Sequence, residues 1–586
     1  MNTHTPTGDG AGALPPWLPD EATLTRLANE FFGNMPAREP EDELSEESVR
    51  SARRPQSSAG SGGYLGPVVS SPEAPERCQP GYLPPDPLAQ FHRATSVVAN
   101  PGVTGPLPPA LTVPGLSAPS AAAISAVAGE RQLERTFEVP GVGQLGGPSF
   151  YFIEEQLPAA HRASTSGPHS PSPREAYPAF HIDAVRRDFP ILSERVHGRQ
   201  LVWLDNGATT QKPQVVIDRM AHFYSHENSN IHRSAHSLAA RSSDAYENAR
   251  STVADFLGAA SAGNIVFTRG TTEAINLVAQ SWGPQHLGPE DEIVISHLEH
   301  HANIVPWQQL AAKTGARLKV IPVDDDGQVL LDAYADLLSE RTKLVSISHV
   351  SNVLGTIVPV KEVIDAGHRV GAKVLVDGAQ AVAHMVVDVQ ALDADFYVFS
   401  GHKIFAPTGI GALYGKSELL EEMPPWQGGG NMISDVTLER TIYQRPPAKF
   451  EAGTGNIAGA VGLGAALEYL NRLGRPVIER YEHELLNYAI SEIRSVPGLR
   501  LIGTAPDKAS VLTFVLEGYR PEDVGSALDQ EAIAVRAGHH CAQPILRRYG
   551  LESAVRPSLA MYNTYAEVDL LVAALRRLAA DAGNRR

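Results

Sequence analysis

Six short apolar runs, NIVFTRG, EIVISHLEHH, LKVIPVD, KLVSISHVSN, KVLVDGAQ and DFYVFSGHK, recur between residues 264 and 403, and each ends in a polar or glycine-containing loop. Runs of that length, separated by helical patterns, read as buried strands of a parallel sheet covered by helices on both faces. This fixes an α/β class. In such sheets a ligand site forms beyond the carboxyl ends of the strands, where the histidines, the lysine and the glycines of these runs collect. After about residue 440 the texture changes: SVLTFVLEG and the segment around Ile533 to Val535 read as strands among long helices, a smaller α+β part.

The first part of the chain obeys a different rule. Of the 45 prolines, 27 fall in residues 1–180, in runs such as GYLPPDP, PGVTGPLPPALTVPG and SGPHSPSPREAYP. Proline removes backbone donors and fixes φ, so residues 1–177 read as a disordered Pro/Ala/Gly/Ser-rich extension. Apolar islands interrupt it. In DEATLTRLANEFFG, Leu24, Leu27, Ala28, Phe31 and Phe32 share one helical face, with Asp20 and Gly33 as caps. A lone helix of that length is marginal in water and calls for a partner surface, on another protein or on the chain's own folded part. Phe150, Tyr151 and Phe152 form a further island.

A net charge of −17 argues against nucleic acid as a general partner. The opening MNTHTPTGDG has no basic or apolar character, and no run reaches the roughly 18 apolar residues of a membrane span, so a cytoplasmic protein without a membrane partner is expected. Two cysteines, Cys78 and Cys541, stand in unlike surroundings and do not make a disulfide framework.

The chemistry concentrates in a few residues. Lys403, on a loop after a buried strand, can lose its proton through burial and condense with the aldehyde of pyridoxal phosphate. Asp377 ends the neighbouring strand VLVD; it reads either as the cap of the next helix or as the partner of a pyridinium nitrogen. Gly270, Thr271 and Thr272 open a helical pattern and offer donors to a phosphate, although Gly-Thr-Thr is also an ordinary helix start. Adjacent His300 and His301 do not face one another, so ring stacking is a better reading than shared metal ligation, and no metal is expected. Cys541, flanked by His539 and His540 and five residues after Arg536, reads as a nucleophilic thiol; the two histidines read equally as thiolate-stabilising or as surface residues.

Together LDNGATTQKP, NIHRSAHSLAARSSDAYENAR, FTRGTTEAINLVAQSWG, HHANIVPWQ, HVSNVLGT, VDGAQA, SGHKIFAPTGIG, FEAGTGN, RAGHHCAQP and MYNT resemble the SufS-type, group II cysteine desulfurases of the class V aminotransferase superfamily, over roughly residues 178 to 582. The resemblance implies the fold type I architecture of pyridoxal-phosphate enzymes, with a large cofactor-binding domain at 178–440 and a small C-terminal domain at 441–586, working as a homodimer with composite active sites. It implies that Lys403 binds the cofactor covalently, Asp377 pairs with its pyridinium, Gln380 bonds its phenolic oxygen and His300 stacks on its ring. By the same resemblance Thr271, Thr272, Ser400 and His402 hold the phosphate, with Thr454 reaching it from the second subunit. Asn352 and Arg556 orient the carboxylate of L-cysteine, Arg536 and His232 line the pocket, and Cys541 receives sulfur as a persulfide for an acceptor protein or thiol. Selenocysteine lyase shares the cofactor site and is the nearest alternative activity; a class V aminotransferase has the same lysine and aspartate without a use for the cysteine.

Four positions depart from the family pattern: Gly207 where Ala is common, Ser234 where Gly is common, Phe405-Ala406 where Tyr-Gly is common, and Gly455 where Pro is common. None removes a reacting group. The extension resembles the leaders of desulfurases packaged in encapsulin shells of the second family, which implies an encapsulin shell protein as partner and a nanocompartment as location. A docking tail for the sulfur acceptor is the alternative.

Overall fold

Alternate residues along the central strands enter two different apolar cores, and this organises the described part of the chain. The strands are β1 (Ile265–Thr268), β2 (Glu292–Ser296), β3 (Arg317–Ile321), β4 (Thr342–Ser348), β5 (Lys373–Asp377), β6 (Phe396–Ser400) and β7 (Gly411–Gly415). They form one sheet in the order β1-β7-β6-β5-β4-β2-β3. Pairings from β6 to β3 are all parallel, whereas β7 runs antiparallel to both β6 and β1. The sheet is therefore mainly parallel. Structural description, from a computed structural model, covers residues 180–232 and 236–584, all within the second of two units into which the chain divides, Leu157–Arg586. The extension 1–177, with its amphipathic run at 20–33, Cys78 and the aromatic island at 150–152, lies outside the described residues, as does Ser234.

Five helices matter for the packing: α1 (Ser237–Leu257), α2 (Thr271–Ser281), α3 (Val305–Thr314), α4 (Val360–Arg369) and α5 (Ile457–Leu473). Val374 and Val376 of β5, with Tyr397 and Phe399 of β6, join the core made with α1, α4 and α5. Leu375, Phe396 and Val398 join the opposite core with α2 and α3. The two-residue period of a strand sends neighbours to opposite faces, and both faces are apolar because both are covered. Each large side chain so buried contributes about 1.5–3 kcal/mol.

The six runs read as strands are all strands; β7, GALYG, is a seventh that the sequence reading did not mark. Beyond it lies a two-stranded hairpin, β8 (Ile433–Val436) and β9 (Thr441–Tyr443), whose Val436, Leu438, Ile442 and Tyr443 are exposed. A second, antiparallel sheet contains β10 (Leu499–Ile502), β11 (Thr513–Leu516), β12 (Arg536–Gly538) and β13 (Ala554–Arg556) in the order β10-β11-β13-β12. It shares a third core with α6 (Arg475–Arg494) and α7 (Tyr565–Asn584). Val202–Trp203 pairs in parallel with Ile533–Ala534, so the start of the described chain joins this C-terminal part across the division expected at residue 440. Among the described residues no helix is long and apolar enough to cross a membrane.

Candidate active site

The carboxyl ends of β5 and β6 place Asp377 and Lys403 at one wall of a cavity of about 440 Å³. Asp377 is the last residue of β5, buried, and accepts the N–H of Ala379 at 2.9 Å. Burial pushes its carboxyl up, while that N–H and the charge of Lys403 pull it down. Lys403 ends the short turn Gly401–Lys403 directly after β6. Burial lowers its ammonium to about 8, opposed by Asp377 and assisted by Arg556. A lysine with that value has a substantial neutral fraction near neutral pH, as a nucleophilic amine requires. The turn is pinned from the segment that starts at Leu204: the His402 carbonyl accepts from the Thr210 N–H and from the Thr209 hydroxyl, both at 3.0 Å.

One end of the cavity lies at the start of α2, where Thr271 and Thr272 line it. Gly270, at φ +151, turns the chain into the helix without a side-chain cap. Ser400 Oγ accepts the Thr271 N–H at 2.9 Å and bonds the Thr271 hydroxyl at 2.9 Å. The following first-turn N–H groups have no intrahelical acceptor, and with the helix dipole they suit an anion. Burial, Lys403 and Lys212 lower His402 beside it to about 4.

The loop after β2 carries His300. Its Nδ1 accepts the Ala302 N–H at 3.0 Å, which leaves the neutral ring's proton on Nε2. Burial first, then Lys403, lowers the imidazole to about 3, so the ring is uncharged. An uncharged, fixed ring suits stacking on a flat heteroaromatic group. Beneath it, Glu299 is fully buried and accepts from Ser296 Oγ (2.5 Å), Asn303 Nδ2 (2.6 Å) and Ser348 Oγ (2.7 Å). Burial raises that carboxyl to about 7 despite these bonds and a fourth from the Ser348 N–H at 3.1 Å.

The opposite wall comes from the C-terminal sheet. Asp205 Oδ2 accepts from Arg536 Nε and Nη2 at 3.2 and 3.0 Å, and Asp205 Oδ1 lies 3.5 Å from Arg556 Nη2. Arg556 is buried and donates through Nη1 to the Asn352 carbonyl at 2.8 Å. Burial lowers its guanidinium to about 10, with Asp205 opposing. Two cations on one carboxylate leave net positive charge for a ligand carboxylate. Gln380 donates through Nε2 to the Gly207 carbonyl at 2.6 Å.

Cys541 follows β12 on an exposed loop, with φ +55 after His540 at φ +52. Its N–H donates to His539 Nδ1 at 3.0 Å. His540 is buried, bonds the Ala554 carbonyl through Nε2 at 2.9 Å, and burial with Arg556 lowers it to about 3. It is therefore neutral and structural, so of the two readings left open by the sequence the cationic one does not hold for His540, and the surface one does not either.

The cavity is lined by Lys403, Asp377, His300, Gln380, Thr271, Thr272, Ser400, His402, Asn352, Arg536, Arg556 and Cys541. His232 and Thr454 are not among its lining. His232 bonds Asn431 Oδ1 and Glu247 Oε1, each at 3.1 Å, and Thr454 lines a separate cavity of about 540 Å³ with Tyr246 and Glu451. Asp205 and Glu299 had no role assigned from sequence: the partners of Asp205 lie 331 and 351 positions away, and Glu299, although Ser296 and Asn303 are close to it in the chain, gives no sign there of its burial. Asn352 Oδ1 and Arg556 Nε are buried without a hydrogen-bond partner, as expected of groups arranged for a ligand. Together with the lowered lysine, the buried Asp377 and the helix N-terminus, they fit pyridoxal phosphate.

Comparison with known proteins supplies the family. The aminotransferase class-V family profile matches residues 202–571. A cysteine desulfurase of Synechococcus elongatus is 65% identical over 445 residues, 74% of this chain and 71% of that protein. A probable cysteine desulfurase of Mycolicibacterium paratuberculosis is 56% identical over 535 residues, 89% of this chain and 77% of that one. The crystal structure of the cysteine desulfurase CsdA (S-sulfonic acid) from Escherichia coli superposes with a TM-score of 0.64 at 41% identity, covering 69% of this chain and 99% of that one. The chain belongs to the class-V aminotransferase family, among its cysteine desulfurases, and is a pyridoxal-phosphate-dependent enzyme of fold type I.

Proposed function

We propose that the protein is a SufS-type, group II desulfurase that converts L-cysteine to L-alanine and holds the sulfur as a persulfide on Cys541 until an acceptor protein or thiol takes it. The observation that carries this reading is a single cavity lined by both Lys403 and the exposed Cys541. An enzyme that only moves amino groups has no use for that thiol.

Bound pyridoxal phosphate supplies an electron sink for the pair released at the substrate Cα. Lys403 would hold the cofactor through its aldehyde, and its Nζ, with an ammonium lowered to about 8, is placed to take the substrate α-proton. With the cofactor bound, Asp377 would keep a proton on the pyridine nitrogen, Gln380 would bond the phenolic oxygen, and His300 would stack on the ring. Thr271, Thr272, Ser400 and His402 would hold the phosphate, while Asn352 and Arg556 would orient the substrate carboxylate beside Arg536. The Cys541 thiolate attacks the substrate Sγ: the S–S bond forms, the Cβ–Sγ bond breaks, and the pair left on Cβ is protonated to give the methyl group of alanine. No outside oxidant is needed.

The same reading takes the protein as a cytoplasmic homodimer with a large domain at 178–440 and a small one at 441–586. Two features support the dimer: the exposed apolar side chains of the β8–β9 hairpin, and Thr454, which in one copy lies away from the Lys403 cavity. The extension at 1–177 is read as the tether that loads the enzyme into an encapsulin shell. The match to the Mycolicibacterium protein covers 89% of this chain and so runs well into the proline-rich part, which gives the extension a counterpart in that relative.

Purified protein with pyridoxal phosphate, L-cysteine and a reductant is expected to release alanine and sulfide in equal amounts, both lost in Cys541→Ala. Retention of sulfide release by that variant refutes the proposal. Deletion of residues 1–175 is expected to preserve turnover and abolish co-purification with a shell.

A further inference from the structure

We propose that His301 is the positioning residue that sets the Cys541 thiol against the cavity. The inference rests on the desulfurase reading above and on contacts that converge on one loop. The His301 N–H donates to the Cys541 carbonyl at 2.8 Å, and its Nε2 accepts the N–H of Gln543 at 3.3 Å. Its ring stacks on that of His539, with centroids 5.8 Å apart and 25° between the planes. His539 in turn accepts the Cys541 N–H at 3.0 Å. His301 thus touches the loop two residues before the thiol, two residues after it, and at the carbonyl of the thiol residue itself.

The loop needs such a post. His540 and Cys541 lie one after the other at φ +52 and +55, a region that costs a non-glycine residue about 1–2 kcal/mol and persists only where the surroundings impose it. One side is held by His540, whose ring bonds Ala554 and whose carbonyl accepts Asn352 Nδ2 at 2.7 Å. The other side is held by His301. That residue opens the short turn His301–Asn303, and Asn303 is tied at 2.6 Å to the buried Glu299, which also bonds Ser348 at the end of β4. The post therefore stands on the ends of the central strands. Burial and the neighbouring His539 hold its imidazole below the ordinary value, which keeps Nε2 an acceptor. Since His300 lines the cavity from the adjacent position, one stretch of backbone registers both the ring-stacking histidine and the sulfur-accepting thiol.

The test uses the full-length holoenzyme in a Cys78→Ser background, with His301→Ala and His301→Gln. Four quantities are read: cofactor content from visible absorbance, half-saturating L-cysteine, the single-turnover rate of persulfide formation on Cys541, and amide hydrogen exchange over residues 538–543. In His301→Ala the first two are expected within about twofold of the parent, because the site residues are untouched. Persulfide formation is expected to fall on the order of 100-fold, the cost of displacing a reacting group by about 1 Å. The Cys541 and Gln543 amides exchange faster. His301→Gln, which restores a side-chain acceptor for the Gln543 N–H, recovers part of the rate. The proposal is overturned if His301→Ala forms persulfide within about threefold of the parent, if exchange in the loop is unchanged, or if cofactor content falls in step with the rate. Absence of persulfide in the parent overturns the desulfurase reading instead, and the exchange comparison then still decides the loop contact.

Discussion

Replacing Asp205 with Asn separates the charge of this residue from its shape. The carboxylate is the counter-charge of two guanidiniums in very different surroundings: the Arg556 side chain is 3% exposed and that of Arg536 is 49% exposed. Removing one member of a buried pair costs about 3–5 kcal/mol, because the remaining charge is left in a low dielectric. Exposed pairs are worth at most about 1 kcal/mol. Arg556 keeps its bond to the Asn352 carbonyl, and its contact with Asp205 is long, so the low end applies: about 3 kcal/mol for Asp205→Asn against less than about 1 kcal/mol for Arg536→Ala. For roughly 400 folded residues at about 2.1 cal/mol/K each, 3 kcal/mol lowers the melting temperature by roughly 3.5 °C. The assay is thermal unfolding of the apo protein, repeated with saturating L-alanine. A carboxylate ligand supplies the missing negative charge, so the deficit of Asp205→Asn is expected to shrink when it binds. The reasoning fails if Asp205→Asn melts within about 1 °C of the parent, or if Arg536→Ala is the more damaging of the two.

The remaining predictions concern charge, space and assembly. Lys403 is depressed to about 8 from an ordinary 10.5, so the folded state sheds this proton earlier than the unfolded one, and stability gained from this group grows as pH rises from about 8 to 10.5; Lys403→Met should remove that slope from apo-protein urea midpoints. Glu299 carries the opposite sign: its carboxyl is raised to about 7 from 4.5, its contribution falls as pH rises between those values, and Glu299→Gln should flatten that limb of the same titration. A Cβ on Gly411 would lie 2.4 Å from the Phe399 carbonyl oxygen and 2.7 Å from Gly270 Cα, whereas one on Gly207 would lie 3.2 Å from the end of the Arg556 side chain. Gly411→Ala should therefore cost about 3 kcal/mol or more and cofactor content with it, and Gly207→Ala should change half-saturating L-cysteine by less than about fivefold; equal effects contradict the packing argument. Leu438→Asp on the exposed hairpin should convert a dimer to a monomer by light scattering, and an unchanged mass excludes the hairpin from the subunit contact.

What could be read from the sequence is what a short stretch of chain encodes by itself. Asp377 and Lys403 stand at the ends of apolar runs, and a buried strand delivers its last residues to the sheet's carboxyl edge whatever lies elsewhere. β7 escaped because GALYG has no alternation to detect; it is a strand because its glycine lets the chain pass close under Phe399 and Gly270. Asp205 was invisible for a different reason. Its partners lie 331 and 351 positions away, and long-range pairings, Val202–Trp203 with Ile533–Ala534 and Asp205 with Ser558, bring the early segment beside Arg536 and Arg556. His540 looked like one of two equivalent histidines beside a thiol, yet burial makes it a neutral bolt for the loop while His539 stays exposed. His232 and Thr454 came from resemblance alone. In one chain they belong to another surface, joined through Glu247, Arg250 and Glu451: Glu247 bonds His232 and Arg250, and Arg250 clamps Glu451 three residues before Thr454. The reacting groups are thus set by local pattern, and their mutual alignment by ion pairs and loop clamps that span hundreds of residues. It follows that substitutions at Asp205, Glu299 or His301 should disturb alignment while removing no reacting group, which is why cofactor content and turnover must be measured separately in each of them.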